Sequence, residues 1–212
     1  IVLIVILIVL FGGTLIGLYT DWLWFDSLGF SVVFSKILWS KIGLGLTTGL
    51  AFFLFIYANL WLSRKLVPPP GRVYNQNVLS SMLGSMAKSG IGMLTLLVSA
   101  GLAVLVGLAA SSSYMDWLYW TNSVPFGQTD PVLGIDFSFY IFGLPFAEFL
   151  YSRIMFMLVV STIATVMLYY ADDAINLRDT SLYIAAKARA HLGVLAALLF
   201  FGVAYGYRLA MF

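Results

Sequence analysis

Long apolar runs broken by shorter polar stretches dominate this chain. Five runs stand out: Ile1 to Tyr19, about Gly43 to Leu62, Ile91 to Ala110, about Ile154 to Tyr170 and about Leu192 to Phe212. A helix crossing a hydrocarbon core of about 30 Å needs roughly 20 apolar residues, so the pattern predicts five transmembrane helices. Strands of a membrane barrel would be about 10 residues long and alternating, and a lone strand would leave its backbone groups unpaired in lipid. Residue 1 lies inside one apolar run and Phe212 inside another, with no initiator Met, basic flank or polar exit. Both ends read as cuts in a longer chain, and residues 1–19 lack the basic start and small-residue cleavage site of a signal peptide.

Composition narrows the class. The 212 residues are 62% hydrophobic and 9% charged, whereas a soluble domain is about half apolar and about a quarter charged. The fold class is therefore all-α, a polytopic helical membrane protein. With no cysteine, disulfides, thiol nucleophiles and thiolate metal sites are excluded. The net charge of +2 includes no basic cluster of the kind that binds nucleic acid.

Lys and Arg set the expected orientation. Arg64, Lys65, Arg72, Lys88, Arg178, Lys187 and Arg189 fall on one side, and Lys36, Lys41, Arg153 and Arg208 on the other. Seven against four places loops 63–90 and 171–191 on the cytoplasmic side of a cell membrane.

The loops carry more than charge. Tyr19, Trp22, Trp24, Phe25, Phe30, Phe34 and Trp39 crowd one interface, either as a headgroup-level aromatic belt or as an aromatic ligand cage. Pro68-Pro69-Pro70-Gly71 predicts a stiff extended turn. After it, Val78, Leu79, Met82, Leu83 and Met86 recur at helical spacing. They form either an amphipathic helix in the interface or an extension of the third span, broken at Gly90 and Gly92.

Ser111 to Arg153 is too long for a passive turn and too aromatic for a flexible linker. It reads as a compact extracellular cap, punctuated by Pro125, Gly127, Pro131, Gly134, Gly143 and Pro145. Phe126, Phe137, Phe139, Tyr140, Phe142 and Phe146 would anchor it. Asp130 and Asp136 sit six residues apart around Gly134. They serve either as a hard-cation site, which needs several converging oxygens, or as acceptors for loop backbone N–H groups. The spacing is not that of an EF-hand.

Tyr19-Thr20-Asp21-Trp22-Leu23-Trp24-Phe25 matches Tyr114-Met115-Asp116-Trp117-Leu118-Tyr119-Trp120 as Y-x-D-W-L-aromatic-aromatic. Both copies follow an outward-going span, which predicts a parallel repeat of helix pairs with Asp21, Trp22, Asp116 and Trp117 in equivalent places. Transporters are often built from such repeats.

Ionisable groups within a bilayer default to function, but here they gather at span ends. The fifth helix is expected to start near Ser181, capped by Asp179, Thr180 or Ser181. Lys187 and His191 then share a face opposite Asp172 or Asp173, as a salt bridge or as part of a proton relay. Gly13/Gly17, Gly45/Gly49 and Gly202/Gly206 are GxxxG pairs suited to close helix packing, and Asn59 reads as interhelical glue. No H-E-x-x-H, G-x-S-x-G or P-loop is present, so the residues assemble no catalytic constellation and call for no cofactor.

Two stretches resemble a known family. YTDWLWFDSLGFSVVFSKILWSKI after the first span and FGQTDPVLGIDFSFYIFGLPF in the large loop are similar to the bacterial and cyanobacterial integral-membrane proteins called uncharacterised protein family 0182. The second stretch, with its Asp-Pro, Gly-x-Asp, Ser-Phe-Tyr and Leu-Pro, is the more specific. The resemblance implies an N-terminal domain of about seven helices, followed by a large extracytoplasmic region, and this chain looks like the first five spans. It supplies no catalytic residues. The expected partners are the lipid bilayer and the remainder of the chain itself, with a homo-oligomer left open. The expected role is anchoring and positioning an extracytoplasmic region; a transporter or channel is the alternative and a membrane enzyme comes third.

Overall fold

A computed structural model describes residues 2–66, 78–172, 174–178 and 181–212, with side chains described for 12–66, 92–172, 174–175 and 183–212. Its elements are α1 (Val2–Ser27), α2 (Ser31–Leu66), α3 (Val78–Ser111), α4 (Tyr114–Thr121), a π-helical turn (Phe139–Gly143), α5 (Leu144–Ala171), β1 (Ile175–Arg178), β2 (Ser181–Ile184) and α6 (Ala186–Leu209). The protein is an all-α polytopic membrane protein. Four stretches among the described residues are long and apolar enough to cross a membrane: Ser31–Leu66, Gly92–Ser111, Phe139–Ala171 and Ala186–Leu209.

The bundle is organised around α2. At 36 residues and about 1.5 Å per residue, it is far longer than the hydrocarbon core. It lies between α3 and α5 and also touches α1, α4 and α6. Phe52, Ile56 and Leu60 of α2 form one buried cluster with Ala103 and Val106 of α3; Met157, Val160, Ala164 and Leu168 of α5 pack against it. Lipid is as apolar as these side chains, so close backbone approach is what favours helix association. Gly45 and Gly49 provide it on α2: a β-carbon on Gly49 would lie 2.9 Å from the Ala103 carbonyl oxygen. Gly202 and Gly206 of α6 instead make room for side chains: β-carbons there would collide with the ends of Met155 and Tyr151 of α5. Among the described residues nothing lies within 4 Å of a β-carbon at Gly13 or Gly17, so these give that pair no packing partner.

Several boundaries differ from the sequence expectation. The segment from Val78 joins α3 without a break at Gly90 or Gly92, which decides for the extension. The expected turn at Pro68 to Gly71 falls outside the described residues. The fourth span starts ten residues early, at Leu144, because Pro145 sits in the first helical turn, where its missing N–H costs nothing. Gly143 and Pro145 therefore open a helix instead of punctuating a loop. The fifth helix starts at Ala186, later than the Ser181 expected for it, though ahead of the apolar run from Leu192. Ser181 to Ile184 is a strand, paired antiparallel with Ile175 to Arg178 in the register Ile175↔Ile184. The Ala185 N–H bonds the Ala174 carbonyl at 2.9 Å. This hairpin satisfies backbone groups that a capped helix start would have satisfied differently.

The two Y-x-D-W-L copies also differ. The first continues α1 unbroken to Ser27, whereas the second is the separate helix α4. α1 meets α2 directly, with Phe25 and Phe34 rings 5.7 Å apart, while α2 stands between α3 and α5. The shared motif is helical in both places, but the helix pairs it was expected to mark are not arranged alike.

Candidate functional site

Two constellations sit at opposite ends of the bundle. The first is the cap, which gathers the beginnings of α2 and α5 with the ends of α3 and α6. Its framework is an aromatic cluster: Phe146 lies 4.7 Å from Trp120, 5.5 Å from Trp117 and 5.9 Å from Phe149. Phe146 and Phe149 are buried there with Leu44 and Ala110. Two lysines tie α2 to α4. Lys36 donates to the Asn122 side-chain oxygen at 3.2 Å, and Lys41 lies 4.7 Å above the Tyr114 ring, a cation–π contact.

Residues 123–138 form the outer loop, and its two aspartates organise the backbone. Asp136 accepts from the N–H groups of Phe126 at 3.1 Å, Gly127 at 2.8 Å and Ser138 at 2.8 Å. Asp130 accepts from the N–H groups of Val132 at 2.9 Å and Leu133 at 3.4 Å, and from the Tyr140 hydroxyl at 2.9 Å. The strands of the loop meet in a single bridge, Thr129↔Asp136. Gly127 and Gly134 take φ of +72° and +67°, a region open to glycine at no steric cost. Bonds donated by the Ser138 hydroxyl, the Ser138 N–H and then the Phe126 N–H hold the Asp136 carboxyl down to about 2. The Val132 N–H and then the Tyr140 hydroxyl hold Asp130 below the ordinary carboxylate value. Lone pairs that a cation would need are thus directed at the chain's own donors, and no group of three or more His, Asp or Glu converges among the described residues.

A cavity of about 530 Å³ opens beside this loop, lined by Asp130, Leu133, Tyr140, Met211 and Phe212. The Phe139 and Phe212 rings meet edge-on at 5.3 Å, so the cap rests on the end of α6. Asp21 and Trp22 lie exposed on α1, with Trp22 stacked on Tyr19. Asp116 and Trp117 are half-buried on α4. The structure does not bring the two motif copies together.

The second constellation is polar and buried, at the other end. His191 of α6 meets the Tyr169 hydroxyl of α5 through Nδ1 at 2.9 Å and the Asn59 side-chain oxygen of α2 through Nε2 at 3.2 Å. Asn59 donates its amide to the Phe55 carbonyl at 2.7 Å. Three helices are joined by two side-chain hydrogen bonds, roofed by Ala174, Ile175 and Ile184 of the hairpin region. The sequence reading set an aspartate against His191; the ring nitrogens are instead met by a phenol and an amide, and Asp173 lies outside the described residues. Tyr169 was missed. Asn59, Tyr169 and His191 each lie within a few turns of a helix end on the same side, and that shared depth was the available signal.

The Uncharacterised protein family (UPF0182) matches residues 1–212. This chain belongs to that family. A UPF0182 protein of Streptomyces coelicolor is 35% identical over 181 residues, 84% of this chain and 18% of its own length. One from Geobacter sp. strain M21 is 35% identical over 211 residues, 95% of this chain and 23% of its own. One from Geotalea uraniireducens is 34% identical over 212 residues, 99% of this chain and 24% of its own. The chain thus spans about a fifth to a quarter of the length of these UPF0182 relatives. No solved structure matches it.

Proposed function

We propose that this UPF0182 module anchors a longer extracytoplasmic region in a bacterial cell membrane and positions it through the cap. The observation that carries this reading is the seating of the cap. A loop held by Asp130 and Asp136 leads directly into Phe139, whose ring meets that of Phe212 just past α6. A rigid surface beside that helix end is what positioning requires. The Lys/Arg asymmetry supports an outward-facing cap, and the glycine seams support a scaffold that holds its shape. Val132, at the tip of the loop, is 84% exposed. A photo-crosslinking residue placed at Val132 in the full-length protein tests the reading. It predicts crosslinks to the extracytoplasmic part of the same chain; crosslinks to lipid alone would contradict it.

A second reading, transport of a small solute, draws support from one feature, the Asn59–His191–Tyr169 cluster within the bundle. Polar groups buried between membrane helices are costly and are associated with substrate and ion pathways.

A further inference from the structure

Ser161, Thr165 and Tyr169 follow one another at intervals of four on α5, so they lie on one face, and all three are 0% exposed. Tyr169 spends its hydroxyl on His191. Among the described residues, the hydroxyls of Ser161 and Thr165 meet no hydrogen-bond partner. That is unusual, because a helical Ser or Thr has the carbonyl three or four residues back within reach. Thr162, the next residue, takes that option and bonds the Leu158 carbonyl at 2.7 Å. Ser63, equally buried on α2, bonds the Leu60 carbonyl at 2.8 Å. Two buried hydroxyls one turn apart thus forgo the local acceptor, on the face of α5 that also carries Tyr169.

Tyr169 faces α6 across the α5–α6 seam. Its antiparallel register is set by Tyr169 against His191 at one end and by Met155 against Gly202 and Tyr151 against Gly206 at the other. Ser161 and Thr165 fall between those contacts. Residues four apart on a helix have β-carbons about 5–6 Å apart, a gap that one water with hydrogen bonds of about 2.8 Å on either side would span. Side chains lean toward the helix N-terminus, which carries the Tyr169 ring toward Thr165. Buried polar groups left unpaired by protein are the usual hosts of structural water.

We propose that this seam is a water-binding site. About one water per turn joins Ser161, Thr165 and Tyr169 into a hydrogen-bonded chain, headed by His191 and Asn59. At 1.5 Å per residue, the chain runs about 12 Å along α5 from Tyr169 to Ser161. It ends near the middle of a core about 30 Å thick. A buried histidine at the head of a line of hydroxyls and water is the kind of arrangement from which proton relays are built. Water there is independent of what the cap does.

X-ray hydroxyl-radical footprinting of the full-length protein in nanodiscs tests this, because radicals form from water bound next to a side chain. Tyr169 should be modified at a rate near that of Tyr183, which is exposed on the hairpin outside the spans, despite its own burial. The pair Ser161→Ala with Thr165→Val should lower that rate several-fold. Thermal melting gives a second readout of opposite sign for the two cases. If the hydroxyls are hydrated, Thr165→Val lowers Tm and Thr162→Val leaves it nearly unchanged. A dry orphan hydroxyl would be relieved by valine, and Tm would rise. Wild-type Tyr169 that resists modification, or a Thr165→Val variant that melts higher, overturns the proposal. The wild-type footprint stands on its own if the double variant does not fold.

Discussion

Gly107 of α3 lies so close against Gly45 of α2 that a β-carbon at position 107 would come within 2.7 Å of the Gly45 carbonyl oxygen. Backbone cannot yield there as a flexible side chain would. Gly107→Leu should therefore destabilise the bundle by about 1–3 kcal/mol, the usual cost of overpacking. Gly13→Leu, with nothing within 4 Å, should be close to neutral. Thermal melting in detergent followed by tryptophan fluorescence compares the two.

Asp136 holds the cap's outer loop through three backbone N–H groups. Asp136→Ala should raise proteolytic nicking between Ser123 and Ser138 and lower Tm. Calcium should not change the resistance of the wild-type loop. Calcium protection in wild type that the variant lacks would make the aspartates an ion site, and unchanged resistance in the variant would remove Asp136 from the cap's support.

The same carboxylate gives the loop a pH dependence of definite sign. Its folded value of about 2 lies below the ordinary 3.8, so its contribution is fully present above about pH 4. It is lost as pH falls through about 2. Loop resistance to an acid-active protease should hold down to about pH 4 and then fall, and Asp136→Asn should lack that acid-dependent step.

How much of this was legible in the sequence depends on what decides each feature. The helices were, because crossing lipid demands long apolar runs and little else satisfies the backbone. The cap aspartates were legible as alternatives, since Asp before glycine-rich turns has a local chemistry. The hairpin was not. Leu182, Tyr183 and Ile184 suit either a strand or a helix start, and pairing with Ile175 to Arg178 decided between them. The partner of His191 was not legible either. It lies 132 residues away at Asn59 and 22 away at Tyr169, and spacing along α6 pointed only at the nearer aspartates. The helix-pair repeat misled because the shared motif reports local helicity, whereas the break at Ser112 and Ser113, before α4, is a tertiary choice.

Phe146 is 5% exposed at the centre of the Trp117, Trp120 and Phe149 rings. Phe146→Ala should cost about 3–5 kcal/mol through the cavity it leaves. It should also blue- or red-shift tryptophan emission as both indoles lose their neighbour. Phe126→Ala, at a position 51% exposed, should cost far less. Chemical denaturation with paired emission spectra separates them.

The role proposed for this module depends on which way the cap faces, and the 212 residues contain no cysteine to confuse a labelling experiment. Ser123, exposed on the cap, and Tyr183, exposed on the hairpin, mark the two ends of the bundle. Single cysteines at these positions, in a cysteine-free full-length protein in intact cells, should react oppositely with a membrane-impermeant maleimide. Ser123→Cys should label at once, and Tyr183→Cys only after the cells are opened. Labelling of Tyr183→Cys from outside, with Ser123→Cys protected, would put the cap in the cytoplasm and contradict the anchoring of an extracytoplasmic region.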